Sequence, residues 1–218
     1  MRRYKNFIVD REDAAQKLKE IIPMARLKEE SWDIIAVSNG GLAIGASIKG
    51  KLKNPLNILF LEAIYAPNND ECEVARVSES EELVINERLV NSFEIKYDYI
   101  YGEAHRKHEE KILSSIYKYR KGHPFPSMKD RVVLLVDEGS ESGSKFMTAL
   151  KTILVQEPKA VYIAVPVIPS DILEELESFV DDIFFLHEID DYVETSLYYK
   201  ELEKIEDETI EKLLEENK

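Results

Sequence analysis

Apolar residues follow two alternating signatures along the chain. Short continuous runs read as strands buried on both faces: Ile34-Ile35-Ala36-Val37, Pro55 to Phe60, Val132-Val133-Leu134-Leu135-Val136, Ala160 to Pro166 and Asp182 to Leu186. Between them the spacing turns helical, in Ala14, Ala15, Leu18, Ile21 and Ile22 behind an N-cap at Asp10, in Leu42 to Leu52, in Ala149, Leu150, Ile153 and Leu154, and in Asp171 to Phe179. This alternation predicts an α/β fold with a mostly parallel sheet joined by right-handed crossovers.

Three stretches depart from that rhythm. Asn68-Asn69-Asp70 is a turn cluster, and Glu73 to Ile85, with Val74, Val77 and Val84, predicts a small antiparallel hairpin, so that 62–96 reads as a hood over the sheet. Residues 97–123 are charged and aromatic and read as a flexible loop leading into a helix. The tail, 192–218, reads as a closing helical segment docked through Ile210, Leu213 and Leu214. All of it fits one domain over 1–218.

The most informative junction is Arg131 to Met147, where the run Val132 to Val136 ends in Asp137-Glu138-Gly139-Ser140-Glu141-Ser142-Gly143-Ser144 and a helix follows. Such a loop lies at the carboxyl end of a strand, where the next helix presents unpaired N–H groups and the positive end of its dipole to an anion. Gly139 and Gly143 permit positive φ and close approach, while Ser140, Ser142 and Ser144 surround a phosphate-sized hollow with hydroxyls. Adjacent carboxylates repel phosphate, so Asp137 and Glu138 suit sugar hydroxyls or a bound cation. Together they describe a ribose 5-phosphate; the competing reading is a solvated acidic turn. Ser38-Asn39-Gly40-Gly41 is a second loop of strand, glycines and helix, either a second anion cradle or a plain Asn-Gly turn.

Composition narrows the partners. Asp and Glu outnumber Lys and Arg by 43 to 29 in 218 residues, a net charge of −14 that disfavours nucleic acid and anionic lipid. Cys72 stands alone, which leaves no intrachain disulfide, no apolar run reaches the length of a membrane span, and the opening MRRYKNFIVDRED has no signal-peptide core. A cytoplasmic setting is expected. His105 and His108 share a helix face without a third ligand at metal-binding spacing, and Asp137 lacks the neighbours of a hydrolase nucleophile.

Four or five apolar residues, two acids, and a loop closing in Ser142-Gly143 make up the PRPP motif of type I phosphoribosyltransferases, which this chain resembles. The wider string is similar to a bacterial group of predicted phosphoribosyltransferases. Pro55 to Phe60, Ala63 to Glu71, Tyr119-Arg120 with Gly122 to Pro126, and Leu197-Tyr198-Tyr199 match that group's segments in order. Four positions depart from it: Asn39, Glu62, Ser114 and Ser115 stand where the group carries basic residues.

The resemblance implies a twisted, mostly parallel sheet flanked by helices with a small hood. It implies transfer of ribose 5-phosphate from PRPP to a nitrogenous base, a purine among the candidates, with release of pyrophosphate and with Mg2+ bound through the PRPP phosphates. Asp137 and Glu138 would hold the ribose, Gly139, Ser140, Ser142, Gly143 and Ser144 the 5-phosphate, and Ser38 to Gly41 the pyrophosphate. Glu141 occupies the place of a base-adjacent aspartate in 6-oxopurine salvage enzymes and would take the proton, a role favoured if partial burial raises its pKa; the alternative is a solvent-facing loop glutamate. Lys51, Arg76, Arg106 and Lys107 are candidates to replace the missing cations. A regulatory protein that binds PRPP or a nucleoside monophosphate without turnover is the competing expectation, and a homodimer is common in the family.

Overall fold

The structure, a computed structural model, describes residues 7–216. The first six residues of the opening segment and the last two of the tail lie outside the described residues. In chain order the elements are α1 (Arg11–Ile21), α2 (Met24–Glu29), β1 (Asp33–Ala36), α3 (Asn39–Lys49), β2 (Leu56–Ile58), β3 (Leu61–Ala66), β4 (Asn69–Ser78) and β5 (Leu83–Ile85). There follow α4 (Glu87–Ser92), α5 (Tyr97–Lys107), a π turn (His108–Ile112), α6 (Leu113–Arg120), β6 (Val132–Val136) and α7 (Ser144–Leu154). The chain closes with β7 (Ala160–Pro169), α8 (Ser170–Glu177), β8 (Asp182–Ile189), a 3-10 turn (Thr195–Tyr198) and α9 (Asp207–Glu216).

Five strands form a parallel sheet in the order β2-β1-β6-β7-β8. The continuous apolar runs are explained by burial on both faces. Ile34, Ala36, Leu134, Val136 and Ala164 face a core shared with α1 and α3, whereas Ile35, Val133, Leu135, Ile163 and Val165 face Phe146, Ala149, Leu150, Leu173 and Leu176 of α7 and α8. From β1 the chain passes outward to β2, and from β6 it passes the other way to β7 and β8. The switch point therefore lies between β1 and β6, and the crevice outside their carboxyl ends is where such sheets bind ligands.

A separate antiparallel sheet, β3-β4-β5, makes the hood. Its attachment includes a nearly buried ion pair between Glu79, at the end of β4, and Arg120, at the end of α6. Glu79 also accepts the Phe60 N–H at 3.1 Å, and the Arg120 guanidinium lies over the Phe60 and Phe125 rings.

Several local expectations change. Ser38 to Gly41 is a helix start rather than a free turn, because the Ser38 hydroxyl caps α3 by accepting the Gly41 N–H at 2.9 Å. Asp10 does cap α1, accepting the Asp13 N–H at 2.8 Å, but Ile21 is 45% exposed and leaves the apolar stripe to Ala14, Ala15, Leu18 and Ile22. Residues 97–120 are helical throughout, with the π turn at their middle. The tail helix docks through buried Ile210 and Leu214 and through Asp207, which accepts from Lys118 and Tyr119 of α6.

Removing Arg120 as Arg120→Met leaves Glu79 buried without its partner, at an expected cost of about 3–5 kcal/mol in urea unfolding at neutral pH. Burial already raises the Glu79 carboxyl above its ordinary 4.5, with Arg120 opposing. A raised folded-state value means that stability is lost as pH rises through it and is restored below the unfolded value. The deficit of the variant should accordingly shrink as pH falls towards 4.5.

Candidate functional site

The two loops expected to carry chemistry meet at the switch point. Ala36 lies opposite Val136 in the sheet, so Ser38 and Asp137 leave adjacent strands side by side, and the Ser38 hydroxyl donates to Asp137 Oδ1. Asp137 is fully buried; Oδ1 also accepts the Glu138 N–H at 2.9 Å, and Oδ2 is ion-paired with Lys145 of α7. One carboxylate thus joins the start of α3 to the start of α7.

The paired glycines serve this junction. A Cβ on Gly41 would stand 2.3 Å from the Val136 carbonyl oxygen, and one on Gly40 would stand 1.9 Å from Glu138 Oε2. Only a bare backbone lets α3 approach β6 so closely. In the second loop Gly143 takes positive φ (69°), as expected, whereas Gly139 is required by proximity: its Cβ would lie 2.5 Å from the Thr195 methyl.

Glu138, Ser140, Glu141, Ser142 and Ser144 line a cavity of about 430 Å³, closed on other sides by Tyr65, Arg76, Lys145 and the Glu194–Ser196 turn. Ser140 is 1% exposed and its hydroxyl has no partner. The adjacent α7 begins without a side-chain cap. A buried orphan hydroxyl at an open helix N-terminus fits an acceptor-rich group such as phosphate. Asp137, Gly139, Gly40, Gly41 and Gly143 stand behind this surface as its support.

Ser38 and Asn39 line a second cavity of about 280 Å³, with Phe60, Glu62, Arg76, Ser115, Tyr119 and Lys145. Three of the four positions that lack a basic residue therefore gather there, and Arg76 and Lys145 line both cavities. Lys107 lies 3.8 Å from Glu62, close to the gap; Arg106 is engaged by Glu103 and Glu110 on its own helical stretch, and Lys51 follows the far end of α3.

Glu141 is exposed rather than partly buried, and its carboxylate accepts the Thr195 N–H at 3.1 Å and the Thr195 hydroxyl at 3.3 Å. It also borders a larger cavity of about 640 Å³ between β4, β5, α7 and α8, so it stands on the wall between that space and the serine loop. Tyr192 donates to Thr195 at 2.9 Å, and Tyr199 donates to the Glu138 carbonyl at 2.7 Å. Burial pushes both phenols well above their ordinary range, which keeps them protonated as donors.

Arg11 was not legible as a site residue. Its Nε donates to Glu138 Oε2 at 2.6 Å and its Nη1 to the Glu203 carbonyl at 2.7 Å, a link between both ends of the chain and the loop that no local spacing announces. Thr195 and Tyr199 are likewise distant in sequence. Lys145, directly after the motif, was the one addition visible as a charge. Among the described residues no group of three or more His, Cys, Asp or Glu is placed to hold a metal, and His108 is turned to the Glu79 carbonyl at 3.1 Å.

Gly41→Ala should cost about 1–3 kcal/mol in urea unfolding, because the new methyl meets backbone that cannot move aside. Gly40→Ala should cost less, since it meets only the end of the Glu138 side chain.

No protein-family model matches the chain. It is 22% identical over 177 residues to curated proteins from two Mycobacterium tuberculosis strains, each named "Putative phosphoribosyl transferase", a match that takes in 81% of this chain and 39% of theirs. The crystal structure of a Thermus thermophilus protein, TT1426, superposes with a TM-score of 0.75 and 26% identity, over 96% of this chain and 98% of that one. The chain thus resembles curated proteins named for phosphoribosyl transfer, and its motif at the switch point and its hood over a five-stranded parallel sheet give it a type I phosphoribosyltransferase-like fold.

Proposed function

We propose that the protein moves the ribose 5-phosphate of PRPP onto a ring nitrogen of a nitrogenous base and releases pyrophosphate. The observation that carries this reading is the buried, unpartnered hydroxyl of Ser140 beside the open N-terminus of α7, at the wall of a cavity that Glu138 also lines. The serine hydroxyls and helix amides would hold the 5-phosphate. Glu138 would accept from the ribose hydroxyls, while Asp137 positions Lys145 and the α3 start behind it.

In the reaction the bond from C1 of the ribose to pyrophosphate oxygen breaks, its electron pair leaving with pyrophosphate, and the base nitrogen forms the new bond to C1. Glu141 would take the nitrogen's proton, since it borders both the serine cavity and the larger space beside it. Holding donor and acceptor in one crevice supplies much of the acceleration. The 280 Å³ cavity would receive the pyrophosphate.

Mg2+ would neutralise phosphate charge. The carboxylates nearest the loop are already engaged, Asp137 by Lys145 and Glu138 by Arg11, so the ion would be held by phosphates and water, with no protein ligand of its own. Magnesium alone should leave thermal stability unchanged, while magnesium with PRPP should raise it.

A second reading has its own support. Asn39, Glu62 and Ser115 bring no cation of their own to the 280 Å³ cavity, leaving Arg76 and Lys145, and each missing charge-assisted bond forfeits roughly 1.5–3 kcal/mol. A protein that binds PRPP or a nucleoside monophosphate to regulate a partner fits that deficit.

Calorimetric titration with PRPP and magnesium tests the first reading. Binding in the micromolar range, lost in Asp137→Asn/Glu138→Gln, is the expected result, followed by pyrophosphate release on addition of an accepted base. Glu141→Gln should then lower turnover by about 100-fold while binding persists. Monophosphate binding with no turnover on any base would favour the regulatory reading, and no binding of either would overturn both.

A further inference from the structure

Glu73 and Arg76 of β4 face the same way, although residues three apart in a regular strand point to opposite faces. The register explains it: Ile64 lies opposite Ala75 and Tyr65 opposite Glu73, so β4 spends one extra residue, Val74, against β3. Val74 is buried in the core, and the bulge turns Glu73 towards the serine loop.

There the Glu73 carboxylate accepts from Arg76 Nε at 2.9 Å, from Arg76 Nη2 at 2.6 Å and from the Ser144 hydroxyl at 2.6 Å. Arg76 Nε also reaches Ser144 Oγ at 3.1 Å. A planar anion is thus bound by a forked guanidinium and a serine hydroxyl at the uncapped start of α7, in the cavity that Ser140 also lines. These are the donors a phosphate would use.

We propose that Arg76 is a 5-phosphate ligand supplied by the hood, and that Glu73 is an internal competitor whose carboxylate occupies the phosphate position until substrate displaces it. The proposal rests on the reading of the serine loop as a phosphate site. It gives Arg76 two roles in sequence: parked on Glu73 in the free protein, it transfers its fork to the substrate phosphate, and the hood is drawn to the loop by the ligand instead of by Glu73. It also accounts for a phosphate site within a strongly acidic chain, since the guanidinium is kept in place, oriented and desolvated before the ligand arrives.

The two residues therefore carry opposite signs. In calorimetric titration of the full chain with ribose 5-phosphate, Glu73→Gln should tighten binding by about tenfold and Arg76→Gln should weaken it by about tenfold or more. Arg76→Lys, which keeps the charge, should retain part of the affinity, and thermal unfolding of each variant confirms that it is folded. Weakening by both Gln variants would overturn the competitor role. Unchanged affinity in both, with binding still lost on Ser140→Val, would overturn the proposal and leave the phosphate reading intact. No binding of ribose 5-phosphate by the parent or by Glu73→Gln would overturn both.

Discussion

A fully buried carboxylate is costly unless donors and a cation surround it, and the Asp137 carboxylate meets that condition only because three elements converge on it. Ser38 donates from the start of α3, Glu138 donates from its own backbone, and the Lys145 ammonium pairs with it from the first turn of α7. Loss of Lys145 would leave a charge stranded at the junction of β1 and β6. The same hydroxyl that donates to Asp137 caps α3, so the two loops are fixed relative to one another by one side chain. Gly41 follows from that constraint, since a Cβ there would meet the Val136 carbonyl and hold α3 away from β6, whereas Gly40 makes room for the end of the Glu138 side chain.

This arrangement explains what the sequence made legible. The central strands were readable because β1, β6 and β7 are buried on both faces, and the motif loop was readable because strand, acids, glycine and helix follow within a few residues. Asp137 was visible as an acid but not as the buried tie it is, because its partners Ser38 and Lys145 come from opposite sides of the switch point. Arg11 and Thr195 were not readable at all, and Tyr199 only as part of the matched Leu197-Tyr198-Tyr199 segment: each reaches the loop from near an end of the chain, and nothing in local spacing encodes such a meeting. Of the two reasons read for Gly139, close approach is the one that holds, and its partner could not be read because it belongs to Thr195.

The charge pattern around the crevice is more specific than the net value of −14 suggests. Arg11 is paired with Glu138, Arg76 with Glu73 and Lys145 with Asp137, so each of these cations arrives with a carboxylate of its own. Such pairs hold the guanidinium and ammonium groups in place without offering a free positive field to every passing anion. An incoming phosphate has to outcompete a carboxylate, which discriminates in favour of multiply charged ligands with several acceptor oxygens over singly charged ones.

The hood is where that competition can be resolved. Asp137 and Glu138 are tied into the sheet and the termini, and exchanging their partners would disturb the junction itself. Glu73 lies on a bulged strand of a separate sheet, attached at this edge through the side chains of Arg76 and Ser144. Of the three carboxylates, it is the one whose displacement leaves β1, β6 and the start of α3 untouched and changes only a side-chain bond at the start of α7. A ligand that replaces it therefore alters the seating of the hood while the parallel sheet keeps its geometry, and binding becomes coupled to closure through a single exchange of hydrogen-bond partners.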